Sequence, residues 1–260
     1  MFSLFFKFLL TCLFCIVLWI FFDTVYHFKK YPKKHAFPVI FKPYPWWYNL
    51  LIRFPEMLGK ELARKDPNEF SDTGFILFEG KQGAGKTCAM THYLCTLKAK
   101  YPEMYITSNY GLIFQDSELT HWRDIVGKKN GTLGFACAFD EISIWFNNRN
   151  FKNFDPAFFS TIVQNRKQKR LILGTAQNIS LCDKALRTQV TQLRQCYCFL
   201  GFIVLVRKFS PTFDSEGNIS KLKPRGFYVF MQDDFLRECY DTYTVIDKMK
   251  EVGYDEKFNY

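Results

Sequence analysis

The chain has 260 residues, enough for one large α/β domain with an appendage or for two small domains. Its formal net charge of +10 and its 19% aromatic content favour a polyanionic partner, either nucleic acid or the anionic inner face of a membrane. Nine scattered cysteines form no paired C-x-x-C metal pattern. They read as reduced core thiols of a cytosolic domain, which excludes a disulfide framework.

The first element in chain order is the run Phe2 to Phe22, apolar apart from Lys7 and a few small polar groups. As a helix it would span roughly 30 Å, the hydrocarbon thickness of a bilayer. Lys7 can snorkel to the interface from near one end. A cleaved signal peptide and a buried helix are the competing readings, but no A-x-A-like site follows. Lys29, Lys30, Lys33 and Lys34 crowd the C-terminal flank, so the positive-inside rule places the bulk of the chain in the cytoplasm. Tyr31 to Tyr48, with Pro32, Pro38, Pro43, Pro45, Trp46 and Trp47, predicts an irregular interfacial connector. An N-terminal arm packed on the domain is the alternative. The expected division is a transmembrane anchor at 1–28, a juxtamembrane connector at 29–72 and a main domain at 73–260.

Phe75 to Thr87 reads FILFEGKQGAGKT, an apolar strand running into the pattern G-x-x-x-x-G-K-[ST]. Glycines at 80, 83 and 85 let the backbone turn tightly and aim its N–H groups at a phosphate. Lys86 can reach the terminal phosphates, Thr87 can ligand Mg²⁺, and the helix that begins there adds its positive end. Gly80, Lys81, Gln82, Gly83, Ala84, Gly85, Lys86, Thr87 and Cys88 are therefore the expected nucleotide-binding segment, with ATP and Mg²⁺ as cofactors.

Beyond it, buried strands are expected at Gly74–Glu79, Met104–Ser108, Leu133–Asp140 and Leu171–Thr175, with helices at Lys86–Lys98, Leu119–Val126 and Pro156–Lys167 between them. The alternation predicts right-handed βαβ units and a doubly wound, mostly parallel sheet. Two later runs, Tyr197–Val206 and Gly226–Met231, predict a C-terminal antiparallel hairpin around Ser215–Asn218. The fold class is thus an α/β P-loop NTPase with an N-terminal transmembrane helix and a C-terminal helical extension.

Partner residues decide among kinases, GTPases and ATPases. LGFACAFDE, Leu133 to Glu141, is an apolar strand ending in adjacent acids. Asp140 is placed to hold Mg²⁺ through water beside Thr87, and Glu141 to polarise the attacking water. The next strand ends in Gln177, which can sense the γ-phosphate or orient water; a simple turn is the plainer reading. The basic run Asn165 to Arg170 suggests an arginine finger to a neighbouring subunit, a DNA-facing patch, or a solvated turn. Arg187 and Arg194 belong to the same basic region, and the sequence does not rank them.

The order GKQGAGKT, AFDEISIWF, NRKQKRLILGTAQN and DKALR resembles the zonular occludens toxin (Zot) family of the FtsK–HerA superfamily, which includes filamentous phage assembly ATPases. The similarity spans roughly Thr73 to Arg194. It implies Lys86 and Thr87 on phosphate and Mg²⁺, Asp140 and Glu141 in hydrolysis, Gln177 at a strand end and Arg166 at the family's basic position. One departure is that Zot-type proteins usually carry their membrane helix after the ATPase domain. The resemblance implies a membrane-anchored Mg-ATPase for DNA translocation, packaging or phage extrusion. It would be a homo-oligomer in the cytoplasmic membrane of a bacterial host, working with phage or secretion-channel assembly proteins. The alternatives are a nucleotide-switched membrane scaffold that recruits assembly partners without pumping DNA, and a small-molecule kinase.

Overall fold

A computed structural model describes residues 2–30, 44–64, 66, 69–120, 123–145, 162 and 164–240. The chain divides into two compact units, Met1–Glu69 and Phe70–Tyr260.

In the first unit, helix α1 (Phe2–Lys30) is long and apolar enough to cross a membrane. Thr11 and Thr24 turn their hydroxyls back onto the carbonyls of Lys7 and Ile20, at 2.5 and 2.7 Å, which satisfies both without solvent. A second helix, α2 (residues 46–64), is built from a first turn Trp46–Tyr48, a wide π turn Asn49–Arg53 and the α-helical Phe54–Arg64. Residues 46–48 were expected to be irregular, because prolines dominate the segment before them. Pro45 instead sits at the N-cap with φ −62°, where a missing N–H costs nothing. The wide turn accommodates Pro55, whose ring would clash with the carbonyl one turn earlier. Gly59 lets the two helices touch: a Cβ there would fall 2.5 Å from the Thr24 carbonyl oxygen.

The second unit is an eight-stranded sheet in the order β3-β2-β4-β5-β1-β6-β7-β8. Its strands are β1 (Gly74–Glu79), β2 (Tyr105–Ser108), β3 (Ser117–Glu118), β4 (Phe135–Phe139), β5 (Arg170–Ala176), β6 (Gln192–Phe199), β7 (Ile203–Phe213) and β8 (Ile219–Met231). Pairings from β3 to β6 are parallel, and β6–β7–β8 is antiparallel. β4 and β5 are buried along their whole length, as parallel strands covered on both faces must be. Helix α3 (Lys86–Lys100) covers one face, packing Met90, Leu94 and Leu97 onto Ile76, Phe78 and Ile106. Ile142, Ile179 and Leu186 cover the other face, over Leu77, Phe139 and Ile172.

Three expectations change. The run Tyr197–Val206 is two strands, β6 and β7, because Leu200 and Gly201 take positive φ and turn the chain. The hairpin at 214–218 joins β7 to β8, so the antiparallel part is three strands wide. The helix expected at Leu119–Val126 shrinks to α4 (Arg123–Gly127), preceded by β3. The helix expected at Pro156–Lys167 and the segment 241–260 lie largely or wholly outside the described residues. All nine cysteines are free, and burial pushes the Cys88, Cys137, Cys182 and Cys196 thiols up to about 12, which suits inert core thiols.

Candidate nucleotide site

β1 ends at Glu79 and the chain turns over the sheet before entering α3. Gly83 and Gly85 both adopt φ +77°, a left-handed conformation that glycine takes without penalty. Gly80 is constrained by proximity: a Cβ there would lie 2.9 Å from the Cys196 carbonyl oxygen and 3.0 Å from the Ala84 Cβ. The loop is thereby pressed onto β6, and the first N–H groups of the fifteen-residue helix α3 open at its mouth, a ready site for an anion. The Lys86 ammonium donates to the Lys81 carbonyl at 3.2 Å, so its side chain lies back across the loop.

The two acids follow directly from the ladder. Phe139 of β4 pairs with Gly174 of β5, so Asp140 is level with Thr175. Asp140 Oδ1 accepts from Thr87 Oγ1 at 2.9 Å and from Thr175 Oγ1 at 2.7 Å. Its backbone is held on the other side by Asn109: Asp140 N–H donates to Asn109 Oδ1 at 2.7 Å, and Asn109 Nδ2 donates to the Asp140 carbonyl at 3.1 Å. Asn109 and Thr175 were not among the sequence candidates. Asn109 directly follows β2 in the way Asp140 follows β4, and that parallel is the signal that could have found it.

Glu141 takes φ 52°, uncommon for a residue with a side chain and characteristic of functional turns. Its N–H donates to Thr175 Oγ1 at 2.8 Å, so one threonine fixes both acids. Ile142 packs onto β5 so closely that a Cβ on Gly174 would meet its Cδ1 at 2.9 Å. Burial holds the Glu141 carboxyl above the ordinary value of 4.5; the Lys86 charge pulls it back, the Asp140 charge raises it further, and a Ser143 hydroxyl bond lowers it. Lys86, Thr87, Asp140 and Glu141 thus converge on one point above the strand ends, the usual location of sites in open α/β sheets. The Thr87 hydroxyl and Asp140 carboxylate together are a hard-oxygen pair of the kind Mg²⁺ takes alongside phosphate and water oxygens.

Gln177 directly follows β5. Glu79 pairs with Ala176, so Gln177 is level with Gly80, where it lines a groove of about 520 Å³ between the loop and β6 with Gln195 and Tyr197. Glu79 braces this groove, accepting from Ile179 N–H at 2.9 Å and Gln195 Nε2 at 3.3 Å.

The chain is similar to several solved structures. The N-terminal domain of zonular occludens toxin from Neisseria meningitidis aligns with 66% of this chain and 100% of that one, at 18% identity and a TM-score of 0.50. The fold is that of a P-loop NTPase. B204, the DNA-packaging ATPase from Sulfolobus turreted icosahedral virus, covers 58% of this chain and 96% of its own at 15% identity, TM-score 0.37. The flagellar accessory protein FlaH from Methanocaldococcus jannaschii covers 61% and 90% at 14% identity, TM-score 0.37. No family model matches the sequence, and no curated protein is similar to it.

Within this P-loop NTPase fold the basic residues separate. Arg166 is exposed in the turn before β5, at the opposite end of a seven-residue strand from its own loop, about 20 Å away. Arg170 and Arg194 are buried, at 1% and 5% exposure. The Arg170 guanidinium donates to the Lys128 carbonyl at 2.9 Å and lies over Phe135. Arg194 stacks on Tyr93 at 3.8 Å and donates to Gln192 Oε1 at 2.7 Å. Neither belongs to a solvent-facing basic patch, because each spends its charge on an aromatic face.

Proposed function

We propose that the Phe70–Tyr260 unit is an Mg-ATPase, held at a membrane by α1, that couples hydrolysis to the movement or extrusion of nucleic acid. The observation that carries the reading is the convergence of Thr87, Asp140 and Thr175 on one carboxylate oxygen, beside Lys86 and Glu141. Backbone N–H groups of Gly80–Thr87 bind the triphosphate, and Lys86 swings from the Lys81 carbonyl to its terminal phosphates. Thr87 and Asp140 are the residues that would hold Mg²⁺, and the ion would there neutralise charge on the phosphoryl oxygens. Glu141 accepts the proton of the attacking water. The nucleoside end occupies the groove along Tyr197, and Gln177 stands between groove and loop.

Nucleic acid as the cargo is supported by the net charge and by Lys221, Lys223 and Arg225, all exposed on the edge strand β8. The fold shared with the Zot domain points the same way by analogy. Arg166, remote from its own loop, is assigned to a neighbouring copy's triphosphate in a homo-oligomer. Residues Lys29 and Lys30 at the end of α1 orient the ATPase unit toward the cytoplasm of a bacterial host.

The test is phosphate release by the full-length protein in detergent micelles, with and without single- and double-stranded DNA. DNA-stimulated release that Lys86→Ala abolishes supports the motor. Release indifferent to DNA, with no DNA binding even at low salt where phosphate contacts are strongest, rejects it and leaves a nucleotide-switched scaffold for assembly partners.

A further inference from the structure

The first unit contains a second apolar segment that the anchor reading leaves unused. α2 runs parallel to α1, not back along it. Trp19 Nε1 donates to the Leu51 carbonyl at 3.3 Å, and Gly59 meets Thr24, His27 and Phe28. Each α2 residue is therefore level with the α1 residue about 32 positions earlier, Leu51 with Trp19 and Gly59 with His27.

This stagger aligns the polarity of the two helices. After Lys7, α1 has no charge until Asp23, and α2 has none until Arg53, which is level with Phe21. Beyond those points both helices are charged: Asp23, Lys29 and Lys30 on α1, and Glu56, Lys60, Glu61 and Arg64 on α2. Below them, Trp46–Ile52 is uncharged, with Trp46, Trp47, Leu50 and Ile52 exposed at 77%, 51%, 54% and 37%. Two independent sequences change from apolar to charged at one level, and an aqueous boundary accounts for both.

The backbone fits the same boundary. Pro55 has no N–H for the Leu51 carbonyl one turn earlier, and that carbonyl is the one taken by the Trp19 indole. The Asn49 side-chain amide on this stretch donates to the Tyr44 carbonyl at 3.2 Å. Arg53 lies over the Tyr44 ring at 4.9 Å. Such internal satisfaction is needed where water is absent.

We propose that residues 46–52 are immersed in lipid, dipping about 10 Å into the leaflet on the ATPase side, with the charged remainder of α2 at the headgroup level. The occupant of the exposed Trp47 and Leu50 faces is lipid acyl chain, continuous with the lipid around α1. The inference rests on the reading of α1 as a membrane anchor.

The experiment places a photoreactive phenylalanine analogue at Leu10, Trp47, Leu50 or Ile113 of the full-length protein. Each variant is reconstituted in phosphatidylethanolamine–phosphatidylglycerol vesicles and its lipid adducts are counted by mass. Adducts at Leu10, Trp47 and Leu50 on the order of tenfold above Ile113, which is 73% exposed on the other unit, are expected from the exclusion of lipid-soluble contacts in water. Adducts at Leu10 without adducts at Trp47 and Leu50, whether those sites stay bare or cross-link to a second copy, overturn the immersion and leave the anchor standing. Absence of adducts at Leu10 removes the anchor, and the immersion falls with it.

Discussion

Thr87, on the helix after the phosphate loop, and Asp140, at the tip of β4, are in direct contact, 2.9 Å from hydroxyl to carboxylate. The strand between their parent elements supplies a second hydroxyl to the same oxygen, from Thr175 at 2.7 Å. The loop-and-acid pairing that defines the site is therefore a three-element junction.

Thr175→Val removes a donor to Asp140 and the acceptor of the Glu141 N–H while keeping the strand's shape. Loss of an orienting contact of this kind costs about tenfold to a hundredfold in activity. We expect kcat for ATP hydrolysis to fall by about that factor, with Thr175→Ser recovering most of it. Equal activity in the valine and serine variants would show that the junction has no catalytic consequence.

Gly174→Ala tests the same junction from below. Its Cβ would stand 2.9 Å from Ile142 Cδ1 and 3.2 Å from Ile142 Cβ, so the turn carrying Glu141 must move. Small displacements of a reacting group cost up to about a hundredfold in rate. The expected result is a lower kcat with little change in KM, and a KM effect alone would contradict it.

The Glu141 carboxyl is raised above its ordinary value, chiefly by burial. A raised acid is one whose charged form the fold disfavours. Its stabilising contribution is full below the ordinary value of 4.5 and is lost as the pH climbs through the raised one. Glu141→Gln, neutral at every pH, should thus match the parent's Tm in acid and exceed it increasingly through that window. Hydrolysis runs oppositely: the parent should lose activity as the pH falls through the same window, because the base must be ionised. Melting curves of both proteins from acid to neutral pH, with rates of the parent, decide it; a pH-independent Tm difference rules out the assignment.

Gly134 faces Phe70 with φ +91°, and a Cβ there would lie 2.1 Å from Phe70 Cγ. Phe70 is fully buried and cannot retreat. Gly134→Ala should destabilise the second unit by about 2 kcal/mol or more, combining backbone strain with overpacking. Chemical denaturation checks this, and a loss within about 0.5 kcal/mol, the range of ordinary surface changes, would be inconsistent with it.

The parts of this architecture legible in the sequence are those set by local chemistry. β1 coincides with the expected Gly74–Glu79 because its four inner residues, Phe75 to Phe78, must be apolar to lie between two covered faces. The glycine spacing announces the loop, and the paired acids announce the end of β4. What escaped notice depends on contacts across the chain. Thr175 looks like any strand threonine until the pairing of Phe139 with Gly174 sets it beside Asp140. Arg194 looks like surface charge until β6 turns it onto Tyr93. Pro45 suggests an irregular connector, yet it caps α2, and Pro55 further on is absorbed by a wider turn. The break between β6 and β7 falls at Leu200–Gly201; Gly201 is a legible turn residue, but Leu200 adopts φ 53° where asparagine or aspartate normally precedes the glycine of such a turn.

The placement of β5 between β1 and β4 also bears on how the gene can vary. Adjacent residues of a strand face opposite ways: Gly174 admits Ile142 on one side, and Thr175 reaches Asp140 on the other. Exchanging a side chain there disturbs one face only. Adding or deleting a single codon swaps the two faces and loses both functions together. Length variation thus has no foothold between Arg170 and Ala176, however freely the composition of the strand drifts.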